Sequence, residues 1–527
     1  MLSLWLQLGN ILFSSFEIMT PKRWILAILT LLAISFLGLS LLNSWTQPQI
    51  QSRLELYQTN LLLHASQWQG KGTEADNSII LRDNLIGKTP VQEALKQYQQ
   101  VQESAAKNLA KYQENNEQIA ASSLQELEQL NRDLQLRIGI LKTQLGSTDQ
   151  AIETWKTLVE TTQEKLPASG DKNSIIKTAK TAQVLIGLWQ TPARLFPDAE
   201  PILQNYLEGW FRYQALVKLY TLQQRPEALV TLETQQQQRS EQAIFKLMIV
   251  SAIPGIGLIL GLLLAIVLGI QLIFKGKDSV LATNMDVAWL IPWNGEIILQ
   301  VFVVGFSLLG QFFIPLTLRA VFQGLNLQPS SFDVRSQAVY ILITYLLLMV
   351  GGFSVLYFSI KSYFPLPEGW FTFKLKDNWF VWGLGGYLVA LPLVILVSLI
   401  NQKFWDGQGG SNPLLPIALE SRDSVALGIF FITASIAAPI FEETMFRGFL
   451  LPSLTRYLPL GSAIILSGFL FAVAHFNVSE ILPLMTLGIV LGFVYTRSRN
   501  LLAPMFMHGL WNSGTLLSLY ILGSGGS

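Results

Sequence analysis

Two adjacent carboxylates, Glu442 and Glu443, close an apolar run within Ala437–Leu450, which reads Ala-Ala-Pro-Ile-Phe-Glu-Glu-Thr-Met-Phe-Arg-Gly-Phe-Leu. An ionisable group at the centre of a bilayer costs about 2.5–3.5 kcal/mol on insertion scales, so each is a candidate for function. On a helix, Glu443 and Arg447 lie four apart and meet on one face as a supporting ion pair. Glu442 then points about 100° away and is free for other work. Two apolar segments downstream carry further groups of the right kind. Phe471 and His475 are four apart, and so are His508 and Asn512. Of three histidines in the chain, two lie in these segments.

Brought together in a wet cavity between helices, Glu442, His475, His508 and Asn512 hold the parts for adding water to an amide. A carboxylate in a low-dielectric site can act as a general base near neutral pH. A histidine beside it helps to place the water and move a proton. A second histidine and an amide supply hydrogen bonds to a tetrahedral oxyanion. No Gly-x-Ser-x-Gly nucleophile elbow occurs, and the chain has no cysteine. The same Glu442, His475 and His508 form an alternative set: two imidazoles and a carboxylate around a divalent metal such as zinc, with a fourth position for water. The helical His-Glu-x-x-His signature is absent and three separate segments supply the donors, so base-activated and metal-activated water both stay open. Each residue has a plainer role too: Glu442 facing headgroups, His475 and Phe471 in packing, Asn512 as glue between helices. Their joint occurrence in three ordered segments favours a site.

The elements that must position them are membrane helices. Half of the residues are hydrophobic and only 13% are charged. The mean hydropathy of +0.39 is too high for an ordinary soluble domain. A net charge of +1 leaves no basic excess for a nucleic-acid partner. The expected fold is all-α: a polytopic helical membrane protein of about nine spans, with an inserted exoplasmic helical domain. Residues 1–20 read as an interfacial amphipathic segment. Lys22 and Arg23 precede a signal-anchor helix, Trp24–Leu42, which completes an N-terminal region over 1–43.

Residues 44–243 are polar, rich in Gln, Glu and Lys, and helical in pattern. Around Ile138-Gly139, Ala151 and Trp155 the spacing is similar to a tetratricopeptide unit, with Gly146-Ser147-Thr148-Asp149 as its turn, and a plain helical bundle or coiled-coil-like domain fits the pattern equally well. Leu219–Leu232, around Pro226 and Ala228, reads as a second, degenerate hairpin, and His64 as a surface or packing residue. The further spans expected are Leu247–Phe274, Ile297–Leu318, Ala338–Phe358, Trp382–Ile400, Val425–Ile440, Ala463–Phe476, Ile481–Tyr495 and Leu501–Ile521. They divide into linking helices over 244–369 and a catalytic core over 370–527. Lysines and arginines in the short loops favour a cytoplasmic N-terminus. The acidic pair would then face the cytoplasmic side, and residues 44–243 the other.

As an ordered set, Glu442-Glu443-x-x-x-Arg447, Phe471-x-x-x-His475 and His508-x-x-x-Asn512 resemble the motifs of the CAAX-protease and bacteriocin-processing (CPBP) family of intramembrane endopeptidases. That family includes the type II CAAX prenyl endopeptidases. Pro439, Arg447-Gly448 and Leu501-Leu502-Ala503-Pro504 fit the surroundings, and the resemblance runs from about Trp370 to Leu522. It implies Glu442 as the general base holding water, with His475 as its partner. It implies His508 and Asn512 at the oxyanion, and Glu443–Arg447 as a supporting ion pair beside Phe471. The substrates would be membrane-associated proteins or peptides entering from the membrane plane or its cytoplasmic face, with membrane lipid around the core; residues 44–243, which the resemblance does not cover, are expected to recruit a protein partner or substrate. The family is described both as metalloproteases and with a metal-free glutamate mechanism. Two rival readings are a non-proteolytic scaffold of the same fold and a transporter using Glu442 and His475 as a proton relay.

Overall fold

The computed structural model describes residues 20–45, 47, 51–69, 82–83, 85–114, 121–164, 172–329, 332–405, 408–412, 415, 417 and 423–523. The interfacial segment expected over 1–20 lies, apart from Thr20, outside them. Two compact units form. One holds the described residues of 1–49 and 254–520, the other those of 50–253 and 521–527. All elements named below are helices.

After α1 (Pro21–Trp45) the chain enters the polar unit. Its helices are α2 (Gln51–Ala65), α3 (Pro90–Glu114), α4 (Ala121–Gln144), α5 (Thr148–Glu164), α6 (Lys172–Trp189), α7 (Ala199–Tyr206) and α8 (Gly209–Leu222). Each buries one stripe at helical spacing: Ala94, Tyr98 and Val101 on α3, Leu134, Ile138 and Leu141 on α4, Ala151, Trp155 and Leu158 on α5. The hairpin expected at Gly146 forms, with Gly146 at φ +81° ending α4. Trp155 packs so closely on Gly139 that a Cβ there would sit 2.2 Å from the indole nitrogen. That nitrogen donates to the Leu136 carbonyl at 3.2 Å. The second expected hairpin turns between α8 and Pro226.

From Pro226 one helix, α9 (Pro226–Lys275), runs for 50 residues with Pro254 inside it. The compositional boundary near 243 therefore falls within a continuous helix. No Gly-Pro turn chemistry stands at the junction, so the change of composition marks a change of solvent and not a break in the backbone. Beyond Ile253 the helix exposes Ile256, Ile259, Leu263, Val267 and Ile270, as a lipid-facing helix does.

The remaining helices are α10 (Gly295–Gly324), α11 (Val334–Ile360), α12 (Trp379–Trp405), α13 (Ser424–Leu454), α14 (Leu460–Val473), α15 (Ile481–Ser498) and α16 (Leu502–Gly523). All nine expected spans coincide with helices. Seven are long and apolar enough to cross a membrane: α1, α9, α10, α11, α12, α13 and α15. At 14 residues α14 is short, and His508, Asn512 and Ser513 dilute the apolar character of α16. The chain is a multi-pass, all-α integral membrane protein. The core of its membrane unit gathers on α13, where Phe441, Met445, Phe446 and Phe449 pack with Trp293, Trp370 and Phe471.

Candidate active site

α13 is a rod with two wide turns. Asp423 caps its start by accepting from the amides of Val425 and Ala426 and pairs with Arg335 at the start of α11. Two π-helical stretches, Thr433–Ala437 and Thr444–Leu450, flank the α-helical Ala438–Glu443. Such turns recur where a helix is reshaped for function. Pro439 has no N–H to give, so a carbonyl one turn earlier lacks its intrahelical donor. Asn512 Nδ2 on α16 donates to the Ala434 carbonyl at 2.7 Å. Gly509 lets α16 come this close, since a Cβ there would lie 2.8 Å from the Ser435 carbonyl oxygen.

The buried charges form a chain of contacts. Glu443 and Arg447 have no exposed side-chain surface, and Arg447 Nη1 donates to Glu443 Oε1 at 2.9 Å. Arg447 Nη2 donates to the Gly488 carbonyl at 2.9 Å, and the guanidinium lies 4.4 Å from the centre of the Phe471 ring. Glu443 Oε1 also meets His508 Nδ1 at 2.8 Å. A carboxylate only accepts, so the hydrogen bond assigns a proton to Nδ1. His508 Nε2 then faces Glu442 Oε2 at 3.9 Å. Glu442 Oε1 accepts from the Tyr345 hydroxyl of α11 at 3.0 Å. Glu442 Oε2 is buried with no hydrogen-bond partner among the described residues.

Of the expected set, the structure brings Glu442, Glu443, Arg447, Phe471 and His508 together. His475 differs. Its Nδ1 donates to the Phe471 carbonyl at 2.8 Å and its ring packs on Phe471 at 4.9 Å. No hydrogen bond or ion pair joins it to Glu442; the histidine that reaches Glu442 is His508, whose ring also packs on Phe471 at 5.7 Å. Asn512 spends its amide N–H on α13. The zinc set fails a geometric test as well. Among the described residues no three His, Asp or Glu side chains come close enough to hold a metal ion. Glu442, His475 and His508 therefore do not fit a three-ligand centre.

Tyr345 and the Gly488 carbonyl were not among the expected site groups. A buried tyrosine hydroxyl in an apolar helix needs a partner, which is the signal Tyr345 carried. Gly468 and Gly488 carried another: small residues let α14 and α15 approach until a Cβ at 488 would be 2.9 Å from Gly468 Cα. That approach is what brings the Gly488 carbonyl to Arg447.

Residues 424–514 match the family model described as Type II CAAX prenyl endopeptidase Rce1-like. The interval contains all seven candidate site residues, Glu442 to Asn512. This match and the two curated relatives below support a CPBP family assignment. Two curated proteins are similar to the chain. YdiL of Bacillus subtilis (strain 168), named as a candidate membrane peptidase, is 26% identical over 133 residues, 25% of this chain and 53% of its own length. The membrane-embedded CAAX protease MroQ of Staphylococcus aureus (strain USA300) is 22% identical over 191 residues, 35% of this chain and 75% of its own. The chain thus spans about half the length of the first of these relatives and three quarters of the other. No solved structure matches it significantly.

Proposed function

We propose that the chain is an intramembrane endopeptidase that hydrolyses membrane-associated proteins or peptides with water activated by Glu442. The observation that carries this reading is the unpartnered Glu442 Oε2, 3.9 Å from His508 Nε2. A water shared by these two atoms loses a proton to Glu442 as its oxygen bonds to the scissile carbonyl carbon. His508, its Nδ1–H held by Glu443, turns Nε2 toward the place where the oxyanion forms. Collapse of the tetrahedral species breaks the C–N bond, and Glu442 returns its proton to the leaving amine.

The other residues act by position. Tyr345 holds Glu442 through Oε1. Arg447 neutralises Glu443, which aims His508. His475 steadies the Phe471 ring against both His508 and Arg447, and Asn512 ties α16 to the turn that Pro439 opens. The Lys and Arg distribution supports a cytoplasmic N-terminus and active site, with 44–243 on the far side, where it recruits a protein partner.

The test compares new protein termini in membranes of matched cells making the wild type or Glu442→Gln. Termini found only with the wild type are the expected result. Identical termini at equal expression and insertion would overturn the hydrolytic reading in favour of a scaffold.

A further inference from the structure

Within the polar unit, α8 and the first turns of α9 enclose a cavity of about 870 Å³. Its lining holds three arginines, Arg212, Arg225 and Arg239, against one carboxylate, Glu227. Arg225 is answered by Glu200 at 2.7 Å. Arg212 and Arg239 stand on different helices and line the same cavity. Neither side chain has a hydrogen-bond or ion-pair partner among the described residues, and Arg212 Nε is buried without one. Other arginines of this unit find acids: Arg82 with Asp83, Arg132 with Glu128.

Nearby groups supply no counter-charge. His64 is buried, and burial, then Arg239, push its pKa down to about 4, so the ring is neutral at pH 7. Gln236 Nε2 donates to His64 Nδ1 at 3.1 Å, which fixes the amide in the cavity wall. Gln204, Asn205 and Gln235 line the same cavity. Carboxamides offer both donors and acceptors, as a peptide backbone requires. The cavity is of a size that takes a short segment of chain.

We propose that this cavity binds a carboxylate-bearing segment of a polypeptide, with Arg212 and Arg239 as its charge partners and the amide-lined wall on its backbone. Guanidinium forks match carboxylates, and two like charges left facing each other are relieved when one arrives. The inference rests on the reading that 44–243 recruits a partner, not on hydrolysis at Glu442.

The test uses the full chain carrying Glu442→Gln in lipid nanodiscs, so that cleavage cannot obscure binding. The probes are fluorescent Gly-Glu and Gly-Gln repeat decapeptides, each with a free or an amidated C-terminus. The expected result is anisotropy binding of Gly-Glu at least tenfold tighter than of amidated Gly-Gln. Arg212→Gln and Arg239→Gln should each cost at least tenfold, while Arg132→Gln costs nothing. Each cavity variant should also melt no lower than its parent, because like-charge repulsion is removed; a residue with a purely structural role would melt lower. Tight binding of Gly-Gln with only its C-terminus free assigns the site to a chain end, and tight binding of amidated Gly-Glu assigns it to acidic side chains. Equal binding of all four peptides, binding of none, or cavity variants that bind as well as their parent would overturn the proposal.

Discussion

The membrane unit and the polar unit place Arg447 on the one hand and Arg212 and Arg239 on the other in opposite settings. In the membrane unit Arg447 has no exposed surface and is held by protein on three sides: Glu443 at Nη1, the Gly488 carbonyl at Nη2 and the Phe471 ring on its face, with Nε alone lacking a hydrogen bond among the described residues. In the polar unit Arg212 and Arg239 line an open cavity, and neither has an ion-pair partner among the described residues. The difference follows from the solvent. A charge in lipid has no water to fall back on and must be closed by protein, whereas a charge in an aqueous cavity can wait for a ligand. Closed charges position chemistry, and open ones recognise.

Arg447→Met tests the closed half most severely. It leaves Glu443 buried with only the His508 N–H as partner, and breaking a buried ion pair costs about 3–5 kcal/mol. A denaturant titration in detergent should show that loss, with a smaller one for Arg447→Lys; an unchanged midpoint would break the comparison. The polar unit has its own buried titrating group in His64. Its folded pKa of about 4 lies below the ordinary 6.5, so the folded state favours the neutral ring. Stability is full above the ordinary value, falls as pH drops through that window, and is lost by about pH 4, a total of about 3 kcal/mol. Urea unfolding from neutral pH to pH 4 should show this slope in the wild type and a flatter one in His64→Leu.

Gly488→Val drives a side chain into Gly468 and should cost about 1–3 kcal/mol by overpacking. It should also lower the cleavage rate, because the acceptor of Arg447 moves; thermal melting and a rate on the same sample read both. Tyr345→Phe is the mildest change. It removes one hydrogen bond to Glu442, worth about 1 kcal/mol net, and should slow turnover with little change in melting. A rate equal to wild type would remove Tyr345 from the account.

Much of the site could be read in the chain itself. Glu443 and Arg447 pair at i,i+4, and Phe471, the acidic pair and His508 sit where three apolar runs can meet. What spacing within a run could not tell is how the runs face each other. His508, and not His475, reaches Glu442 because Gly509 seats α16 on Ser435, while His475 turns back to its own helix at Phe471. Tyr345 lies 97 residues before Glu442, on a helix that local pattern cannot place. The Asn512 contact depends on a π turn and on the N–H that Pro439 lacks, and neither shows in an i,i+4 count. The fold was legible where hydropathy decides, in nine expected spans that coincide with helices, seven of them long and apolar enough to cross a membrane. At residue 243 composition changes while α9 runs on.

The most direct test of the central claim is the hydrolysis rate of purified wild type against Glu442→Gln in lipid nanodiscs. The substrates are the proteins identified from the new termini, and mass spectrometry of the products gives the rate. Gln keeps the shape and can still accept from Tyr345, but it cannot take a proton from water. A fall of at least about a hundredfold with unchanged melting is the predicted result, the size of a general base's contribution. A rate equal to wild type would contradict the assignment of Glu442.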